Sequence, residues 1–335
     1  MTRIIFLLSI CFFIACSTVV AEETTRPEHP AGSHQRETVA SCKRPFVIVL
    51  GIAQDAGFPQ AGCGKACCID AWRLAEKKRR VACLAIVDPL SNQTWMIDCT
   101  PDFREQLRQL ITTATGRNGK NKGKATLDGI LLTHAHIGHY SGLIHLGREA
   151  IGARNIPVWA MPRMNKFLTT NGPWSQLVLL ENIRLNSLTE NKPVRLNHRI
   201  RVTPFAVPHR DEFSETVGFR ITGPERTVVY IPDVDKWDRW SQRIEDVIKS
   251  TDLAYVDGTF FANGEIPGRD MSLIPHPFIE ESLKRFAKLR IDQRSKVRFI
   301  HLNHTNPALK PESQATRKIL KSGCMVAIQG ERFGL

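Results

Sequence analysis

The sequence of 335 residues has no internal repeat and no heptad pattern, and past its first residues no apolar run approaches the ~20 residues of a membrane-spanning helix. Its 22 glycines and 19 prolines follow no period, which excludes a collagen-like or low-complexity chain. A Gly-x-Ser-x-Gly elbow and a glycine-rich phosphate loop are also absent, which disfavours a serine nucleophile and P-loop chemistry. Aromatic residues make up only 7%, but 42% of residues are hydrophobic, enough to bury a sizeable core and to exclude disorder as the main state.

Acidic residues are in deficit, with 33 Asp and Glu against 46 Lys and Arg and a net charge of +13. A basic balance is consistent with nucleic acid, an anionic membrane surface or an acidic small substrate, and charge alone does not choose among them. Residues 117–124 form a segment rich in Gly, Asn and Lys, which we interpret as a solvated surface loop rather than a nucleic-acid patch. We therefore expect a small, anionic substrate and no nucleic-acid partner.

The longest apolar stretch lies at the N-terminus, where Arg3 precedes residues 4–15 and small residues follow up to Ala21. This order of charged, apolar and small residues predicts an export signal over 1–21, cleaved before Glu22. A lipoprotein signal is the second interpretation, because Phe13-Ile14-Ala15-Cys16 loosely resembles a lipoprotein box and would place a lipid anchor on Cys16. Both interpretations predict an exported protein, periplasmic or secreted.

Residues 22–45 are polar and show no apolar period, so we predict a flexible leader there. The folded domain is predicted over 46–335, since strand-like runs begin at Phe46 and no later change in composition marks a second domain. Predicted strands come in runs with helices between them, which is typical of an α/β protein with mixed sheets in layers. The clearest predicted strands are 46–50, 127–133, 227–231 and 297–302, and a helix is predicted from Tyr140 to Ile151.

Nine cysteines are present, and two of them lie in the predicted signal. The odd number that remains in so long a chain is not typical of a disulfide scaffold. Cys63, Cys67 and Cys68 fall within six positions. This trio is interpreted as a metal-binding knot, a disulfide or a set of buried free thiols.

Three histidines cluster in the segment Thr133-His134-Ala135-His136-Ile137-Gly138-His139, directly after a predicted strand. Imidazoles at positions i, i+2 and i+5 of a strand-to-helix loop can converge on one divalent ion, and nitrogen ligands suit zinc. Because the whole chain has only 11 histidines, scattered surface histidines would not be expected to group in this way.

A strand that ends in His-x-His-x-Asp-His and continues into Gly-Leu is the signature of the metallo-β-lactamase-fold hydrolases, which this segment resembles. Further segments resemble one branch, the pyrroloquinoline quinone biosynthesis protein B family; they are Gly51-Ile52-Ala53 with Gly57-Phe58-Pro59-Gln60, Asp257-Gly258-Thr259-Phe260 and Asn303-His304-Thr305-Asn306-Pro307. The resemblance covers 46–335 and implies an αββα sandwich, in which two mixed β-sheets are flanked by helices.

The metal ligands that the resemblance implies are His134, His136, His139, His209, Asp233 and His304. Asp233 and His304 are also the implied catalytic residues, and Zn²⁺ is the expected ion, with iron or manganese as alternatives. The superfamily places an aspartate, usually a ligand of a second metal, where this chain has Gly138. We therefore expect one tightly bound ion and a weak or empty second site, with Gly138→Asp raising the metal content.

The same resemblance implies a second, structural zinc held by Cys63, Cys67, Cys68 and His301. The adjacent Cys67 and Cys68 depart from the family's usual Cys-x-Cys-x-x-Cys spacing, so a tetrahedral site requires a sharp turn of the backbone. Asp257 matches an acidic turn of the family and is expected to be structural.

An ion with three histidine ligands and an open position lowers the pKa of bound water towards ~7. The resulting hydroxide can attack a phosphodiester, ester or lactone, which predicts a metal-dependent hydrolase of a small substrate. The branch resemblance implies an alternative, the metal-dependent oxidation of a quinone-cofactor precursor, and a non-catalytic carrier of a small anion is another. The predicted export favours hydrolysis, because cofactor assembly is expected in the cytoplasm.

Overall fold

The computed structural model describes residues 44–114 and 127–335. The predicted signal and nearly all of the predicted leader, Cys16, Cys42 and the basic loop 117–124 lie outside these residues. None of the helices in the described part of the chain has the length and apolar character needed to cross a membrane.

Fourteen strands are found in the described ranges. They are β1 (Phe46–Gly51), β2 (Cys83–Asp88), β3 (Gln93–Ile97), β4 (Gly129–Leu131), β5 (Ile156–Ala160), β6 (Ile183–Ser187), β7 (Val194–Arg195), β8 (Arg201–Ala206), β9 (Val217–Thr222), β10 (Thr227–Ile231), β11 (Leu253–Asp257), β12 (Val297–Ile300), β13 (Met325–Val326) and β14 (Arg332–Gly334).

Nine α-helices are found in the same ranges. They are α1 (Ile69–Arg73), α2 (Phe103–Ala114), α3 (Ile137–Tyr140), α4 (Pro162–Thr170), α5 (Trp174–Leu179), α6 (Ile244–Lys249), α7 (Ile279–Phe286), α8 (Ile291–Arg294) and α9 (Gln314–Lys321). Short 3₁₀-helices cover Ala75–Lys77, Ser141–Leu146, Trp237–Arg239, Met271–Leu273 and Pro307–Leu309.

The strands form two seven-stranded mixed sheets, ordered β14-β1-β2-β3-β4-β5-β6 and β13-β12-β11-β10-β9-β8-β7. In the first sheet the pairs from β14 to β3 are antiparallel and those from β3 to β6 are parallel. The second sheet repeats this arrangement, antiparallel from β7 to β10 and parallel from β10 to β13. The first sheet brings together the two ends of the described chain, since Phe46 of β1 is paired with Gly334 of β14.

Alternation along β1 explains the layering, because successive side chains of a strand point to opposite faces. Val47 and Val49 belong to the apolar cluster that also contains Phe219 of the second sheet. Ile48 and Leu50 belong to a separate cluster with residues of α2 and α4. Each sheet therefore packs on the other sheet and on helices, which confirms the predicted αββα sandwich.

The segment after the histidine motif differs from its prediction. A helix was expected from about residue 140 to 151, whereas α3 ends at Tyr140 and a 3₁₀-helix follows over Ser141–Leu146. Gly142 lies against the neighbouring loop, where its N–H donates to Cys99 O at 2.9 Å and a β-carbon would lie 2.1 Å from Thr100 O. This close packing draws the backbone out of a regular helix.

Candidate metal centre

Polar side chains meet where strands of both sheets end. Asp98, Asp233 and His301 come within two residues of the ends of β3, β10 and β12, and Asp257 is the last residue of β11. Carboxyl ends of parallel strands lie at one edge of a sheet, so these residues are brought together by the topology. Asp98 and His301 have left-handed backbones, with φ of 70° and 65°. Such strain in non-glycine residues is concentrated at functional sites.

The first cluster, which we call the histidine centre, consists of His134, His136, His209 and Asp233. His136 Nδ1 lies 2.9 Å from His134 Nε2 and 3.3 Å from His209 Nε2. Asp233 Oδ2 lies 3.3 Å from His134 Nε2 and 3.2 Å from His209 Nε2. Ligands at ~2.1 Å from a tetrahedral ion are roughly 3.4 Å apart, so these four atoms have the spacing of a zinc site. The structure thus brings together four of the predicted ligands.

Asp98 fixes the ring orientation of two histidines. It accepts hydrogen bonds from the Thr133 hydroxyl at 2.8 Å and from His139 Nδ1 at 2.8 Å. Because the Thr133 hydroxyl hydrogen is used on Asp98, its oxygen accepts from His134 Nδ1 at 3.0 Å. Both rings in their neutral form therefore carry hydrogen on Nδ1 and turn the Nε2 lone pair inward, as metal-binding histidines do.

Asp257 does the same on the second sheet. Its carboxylate accepts from the Thr259 hydroxyl at 2.7 Å and from His276 Nδ1 at 2.8 Å. The Thr259 oxygen in turn accepts from His301 Nδ1 at 3.0 Å, so His301 also directs Nε2 inward. Asp257, expected to be structural, thus positions groups of the centre.

A second cluster, which we call the Asp55 cluster, adjoins the first and consists of Asp55, His139 and His301. Asp55 Oδ1 lies 3.5 Å from His139 Nε2 and 3.8 Å from His301 Nε2. Asp233 Oδ2 stands between the clusters, 3.8 Å and 4.0 Å from the same two nitrogens. Asp55 Oδ1, His139 Nε2 and His301 Nε2 are buried without a hydrogen-bond partner among the described residues. Such orphaned groups are costly unless a ligand satisfies them, and a cation between them would do so.

Burial and charge set the protonation of the histidine centre and of His139 in the adjoining Asp55 cluster. Burial lowers the pKa of His134 well below its usual range and that of His136 to about 4, so both rings are neutral. Burial also acts to lower the pKa of His139 and His209, but neighbouring carboxylates outweigh it and raise both to about 10. For Asp233, burial favours the protonated form, yet the surrounding imidazoles hold its pKa well below the ordinary value. The protonated rings are thus cations that a metal ion would replace.

One side of the centre is open to solvent. The side chains of His136 and Asp55 are 11% and 29% exposed, while those of the other ligands in the two clusters are at most 3% exposed. Glu212 Oε1 lies 3.5 Å from His136 Nε2 and 3.5 Å from an exposed guanidinium nitrogen of Arg210. Among the described residues, His136 and Asp55 therefore mark the side of the site from which a substrate can approach, with Arg210 nearby.

A third cluster, the cysteine cluster, contains Cys63, Cys67, Cys68 and His304. The Sγ atoms of Cys63 and Cys67 are 3.7 Å apart, and His304 Nδ1 lies 3.6 Å and 3.3 Å from those of Cys67 and Cys68. All three thiols are free, and the spacing suits a tetrahedral ion with Zn–S bonds of ~2.3 Å. Burial raises the pKa of Cys68 to about 12, so thiolate formation there needs a nearby cation.

The predicted positions of His301 and His304 are reversed. His304 was expected in the histidine cluster and His301 beside the cysteines, but His304 contacts the thiols and His301 enters the Asp55 cluster. Leu302 N donates to Ile52 O at 2.8 Å, and Gln54 N donates to Leu302 O at 2.8 Å. The chain after β12 thus runs beside the loop that leads to the cysteines, so the first histidine stays at the strand end and the second reaches the thiols.

Sequence reasoning missed several groups of the centre. Asp98, Asp235 and His276 were not singled out, although Asp235 Oδ1 contacts His209 Nδ1 at 3.2 Å and His276 Nδ1 lies 3.2 Å from Asp233 Oδ1. Asp55 was also missed, since it lies in a loop outside the histidine motif. Asp98 carried a usable signal, because it directly follows a buried strand that neighbours the histidine strand.

Comparisons with known proteins agree with this architecture. The family model described as "Beta-lactamase superfamily domain" matches residues 94–302. Coenzyme PQQ synthesis protein B of Xanthomonas oryzae pv. oryzae (strain MAFF 311018) is 26% identical over 312 residues, which cover 86% of this chain and 99% of the relative. Zn(2+)-bound PqqB from Methylobacterium extorquens matches with a TM-score of 0.71 at 22% identity, covering 87% of this chain and 100% of that one. A diphosphatase from the PhnP family matches with a TM-score of 0.59 at 19% identity, covering 87% and 97%. The two structural likenesses show a shared fold.

Proposed function

Because the chain belongs to the β-lactamase superfamily and has the metallo-β-lactamase fold, we propose that it is a metal-dependent hydrolase. The substrate class is a small, anionic phosphodiester, ester or lactone, and Zn²⁺ is the proposed ion. Iron or manganese with the same ligands is the alternative metal.

One observation carries this proposal: Asp233 Oδ2 lies within 4.0 Å of the Nε2 atoms of four inward-turned histidines. Nitrogen and carboxylate ligands in this number suit zinc, and the orphaned nitrogens of the second cluster fit a cation as well. His134, His136, His209 and Asp233 would hold the ion.

A bound divalent ion supplies Lewis acidity and lowers the pKa of a coordinated water. The residues of this chain then orient the metal ligands and exclude bulk water from them. Asp98 and Asp257 keep the histidine rings aligned through direct and hydroxyl-mediated bonds. Asp233, ionised and buried, would hold the ion through Oδ2, and its carboxylate can accept a hydrogen bond. His276, whose pKa is raised by nearby carboxylates despite its burial, lies near the other oxygen of Asp233 and can stabilise its charge.

The net charge explains why an anionic substrate is proposed. At the rim, the exposed Arg210 is paired with Glu212, which also contacts His136, so the two charges there offset each other. The chain as a whole carries a charge of +13, and a basic protein raises the local concentration of an anion and favours its encounter with the site. A diphosphatase has the same fold, so the phosphodiester is the first substrate to assay.

The test loads the purified protein with Zn²⁺, Mn²⁺ or Fe²⁺ and measures hydrolysis of a nitrophenyl phosphodiester and of an aliphatic lactone. Wild type should turn over at least one of them, and Asp233→Asn and His136→Ala should reduce kcat by at least about a hundredfold. His198→Ala is the matched control, since this exposed histidine lies in the turn between β7 and β8 and belongs to none of the three clusters. Equal turnover by wild type and Asp233→Asn would refute the proposal.

A second candidate function is suggested by the curated relatives named Coenzyme PQQ synthesis protein B. In that case the centre would act in oxidation of a quinone-cofactor precursor and would be active with Fe²⁺. Oxygen uptake by the Fe²⁺-loaded protein with such a precursor, together with failure to hydrolyse either ester, would favour it. Binding of a small anion with neither reaction would instead favour a carrier.

Export is part of the proposal and rests on the pattern of residues 1–21. The mass of the mature protein tests it, because cleavage before Glu22 and lipid attachment at Cys16 give different masses. A full-length chain starting at Met1 and found only in the cytoplasm would refute export.

A further inference from the structure

Gly138 stands where the superfamily pattern has an aspartate, and the structure leaves no room for a side chain there. A β-carbon on Gly138 would lie 2.1 Å from Asp55 Oδ1 and 2.6 Å from Asp55 Cα. Contacts below 3.0 Å are essentially never made by real β-carbons, so any other residue would displace Asp55. The space in which a carboxylate at 138 would begin is filled by a carboxylate from a different loop.

The carboxylate of Asp55 faces two imidazole nitrogens that make no hydrogen bond within the described residues. His139 Nε2 and His301 Nε2 are fully buried and lack hydrogen-bond partners in the described ranges, and each lies within 4.0 Å of both Asp55 Oδ1 and Asp233 Oδ2. Their Nδ1 atoms are already bonded, to Asp98 and to Thr259. The ligand atoms of Asp55, His139 and His301 lie within 4.8 Å of one another, and Asp233 Oδ2 approaches both nitrogens from the histidine centre. Imidazole nitrogens and carboxylate oxygens are ligands of the type that a divalent cation takes.

The loop that carries Asp55 is fixed to the segment that carries His301. Gly57 N donates to Gln54 O at 2.8 Å, which closes a tight turn with Asp55 at its second position. Gln54 N donates to Leu302 O at 2.8 Å, and the Asn303 amide donates to the Gln54 side chain at 2.5 Å. The turn therefore holds the carboxylate in place relative to the neighbouring histidine.

We infer that Asp55 is a ligand of a second divalent ion, with His139, His301 and a shared Asp233, in place of the carboxylate that Gly138 lacks. The inference rests on the proposed function only in taking the histidine centre as the first metal site. It replaces the expectation that Gly138 leaves the second site weak or empty. It also reverses the expected effect of Gly138→Asp, which would push Asp55 away and add no ion.

The competing explanation is a simple ion pair between Asp55 and a protonated His139. The two explanations predict different metal contents when Asp55 is replaced by an uncharged side chain or by a thiol. Asp55→Asn keeps the shape and removes the charge, whereas Asp55→Cys restores a metal-binding atom of a kind that cobalt reports spectroscopically through thiolate charge transfer. An ion pair would be lost in both variants without any change in metal content.

The experiment measures zinc per protein after dialysis against a weak chelator, followed by cobalt absorption spectra of the same proteins. Wild type should hold about three equivalents, one each at the histidine centre, the Asp55 cluster and the cysteine cluster. Asp55→Asn and Gly138→Ala should each hold about two, with an affinity for the lost ion reduced by more than about a hundredfold, since even losing an outer partner costs 10–100-fold. Ala56→Ser, exposed in the same turn, is the matched control and should hold about three. Asp55→Cys should add thiolate intensity to the cobalt spectrum.

The inference is overturned if wild type holds no more than about two equivalents, or if folded Asp55→Asn and Gly138→Ala keep the wild-type content and affinity. A folded Asp55→Cys without added thiolate intensity counts against it in the same way. Failure of the proposed function looks different. In that case wild type would hold its full metal content but hydrolyse neither ester, and Asp55→Asn would still lose one ion.

Discussion

Asp98 offers the sharpest test of how the two clusters are held. It is fully buried, it bonds His139 of the Asp55 cluster directly, and it reaches His134 of the histidine centre through the Thr133 hydroxyl. It accepts from Thr133 N at 2.9 Å, from the Thr133 hydroxyl at 2.8 Å and from His139 Nδ1 at 2.8 Å. In Asp98→Asn the amide oxygen can keep the bonds from Thr133. The amide NH₂ then faces His139 Nδ1, so this ring must move its hydrogen to Nε2, the atom that points into the centre.

The magnitude follows from this change of tautomer. Loss of an outer carboxylate partner lowers metal affinity by about 10–100-fold, which corresponds to about 1.4–2.8 kcal/mol. The loss should fall on the ion bound by His139, while the ion bound by His134 is less affected because the Thr133 hydroxyl keeps its acceptor. Without metal, Asp98 and Asp55 raise the pKa of His139 to about 10 against burial, and this net shift corresponds to at most about 5 kcal/mol of pH-dependent stability. Because the pKa is raised on folding, this stability is fully present below about pH 6.5 and is lost as pH rises through about 10.

Competition with a chromophoric zinc chelator measures the two affinities, and thermal unfolding of the metal-free protein measures the stability. Asp88→Asn is the matched control, since Asp88 is equally buried and pairs with Arg199 at 2.8 Å, at the far end of its strand from the centre. This variant should unfold at a lower temperature and bind metal as wild type does. If folded Asp98→Asn bound both ions with wild-type affinity, the reasoning about the tautomer would be wrong.

Three further outcomes are expected. His304→Ala should lose one zinc equivalent and the thiolate band of the cobalt protein while the histidine centre keeps its metal; loss of metal from the centre instead would restore the originally predicted position of His304. Metal binding near pH 7 should release about two protons beyond those from the cysteine thiols, because His139 and His209 have pKa values raised to about 10. Calorimetry in buffers of different ionisation enthalpy should show this release, along with weaker binding at lower pH. Burial raises the pKa of Glu265 to about 7, so its favourable contribution below about pH 4.5 is lost as pH rises through 7. Glu265→Gln should then be more stable than wild type at pH 8, by at most about 3 kcal/mol, and similar at pH 4; equal pH profiles in thermal unfolding would contradict this.

The sequence was sufficient to predict the sandwich and to single out the four residues that the structure groups in the histidine centre, because their signals are local. A buried strand followed by His134 and His136 places both imidazoles in one loop, and His209 and Asp233 likewise come within a few residues of strand ends. Strand ends were the common feature, and applied consistently that feature would have placed His301, which directly follows Ile300, at the centre rather than beside the cysteines. The reversal with His304 arose because spacing in the sequence does not reveal which loop runs alongside the segment after β12.

Asp55 could not be predicted by the same reasoning. Its role depends on the absence of a side chain at Gly138, on a tight turn closed by Gly57 and on hydrogen bonds to Leu302, all of which are contacts between distant parts of the chain. A missing ligand in a motif predicts a missing site only if no other loop can reach the position. Whether another loop does so is a property of tertiary packing.

The pairing of β1 with β14 has a consequence for the order of events during synthesis. Phe46 faces Gly334 across the sheet, and Leu335 N donates to Pro45 O at 2.7 Å with the Leu335 side chain fully buried. At about 5–20 residues per second, β1 leaves the ribosome on the order of 15–60 s before its outer partner exists. During that interval the outer edge of β1 is a row of unpaired backbone groups beside an apolar surface, the kind of edge that recruits chaperones or foreign strands. The first strand of the sheet is therefore the segment of this chain that depends longest on being kept from wrong partners.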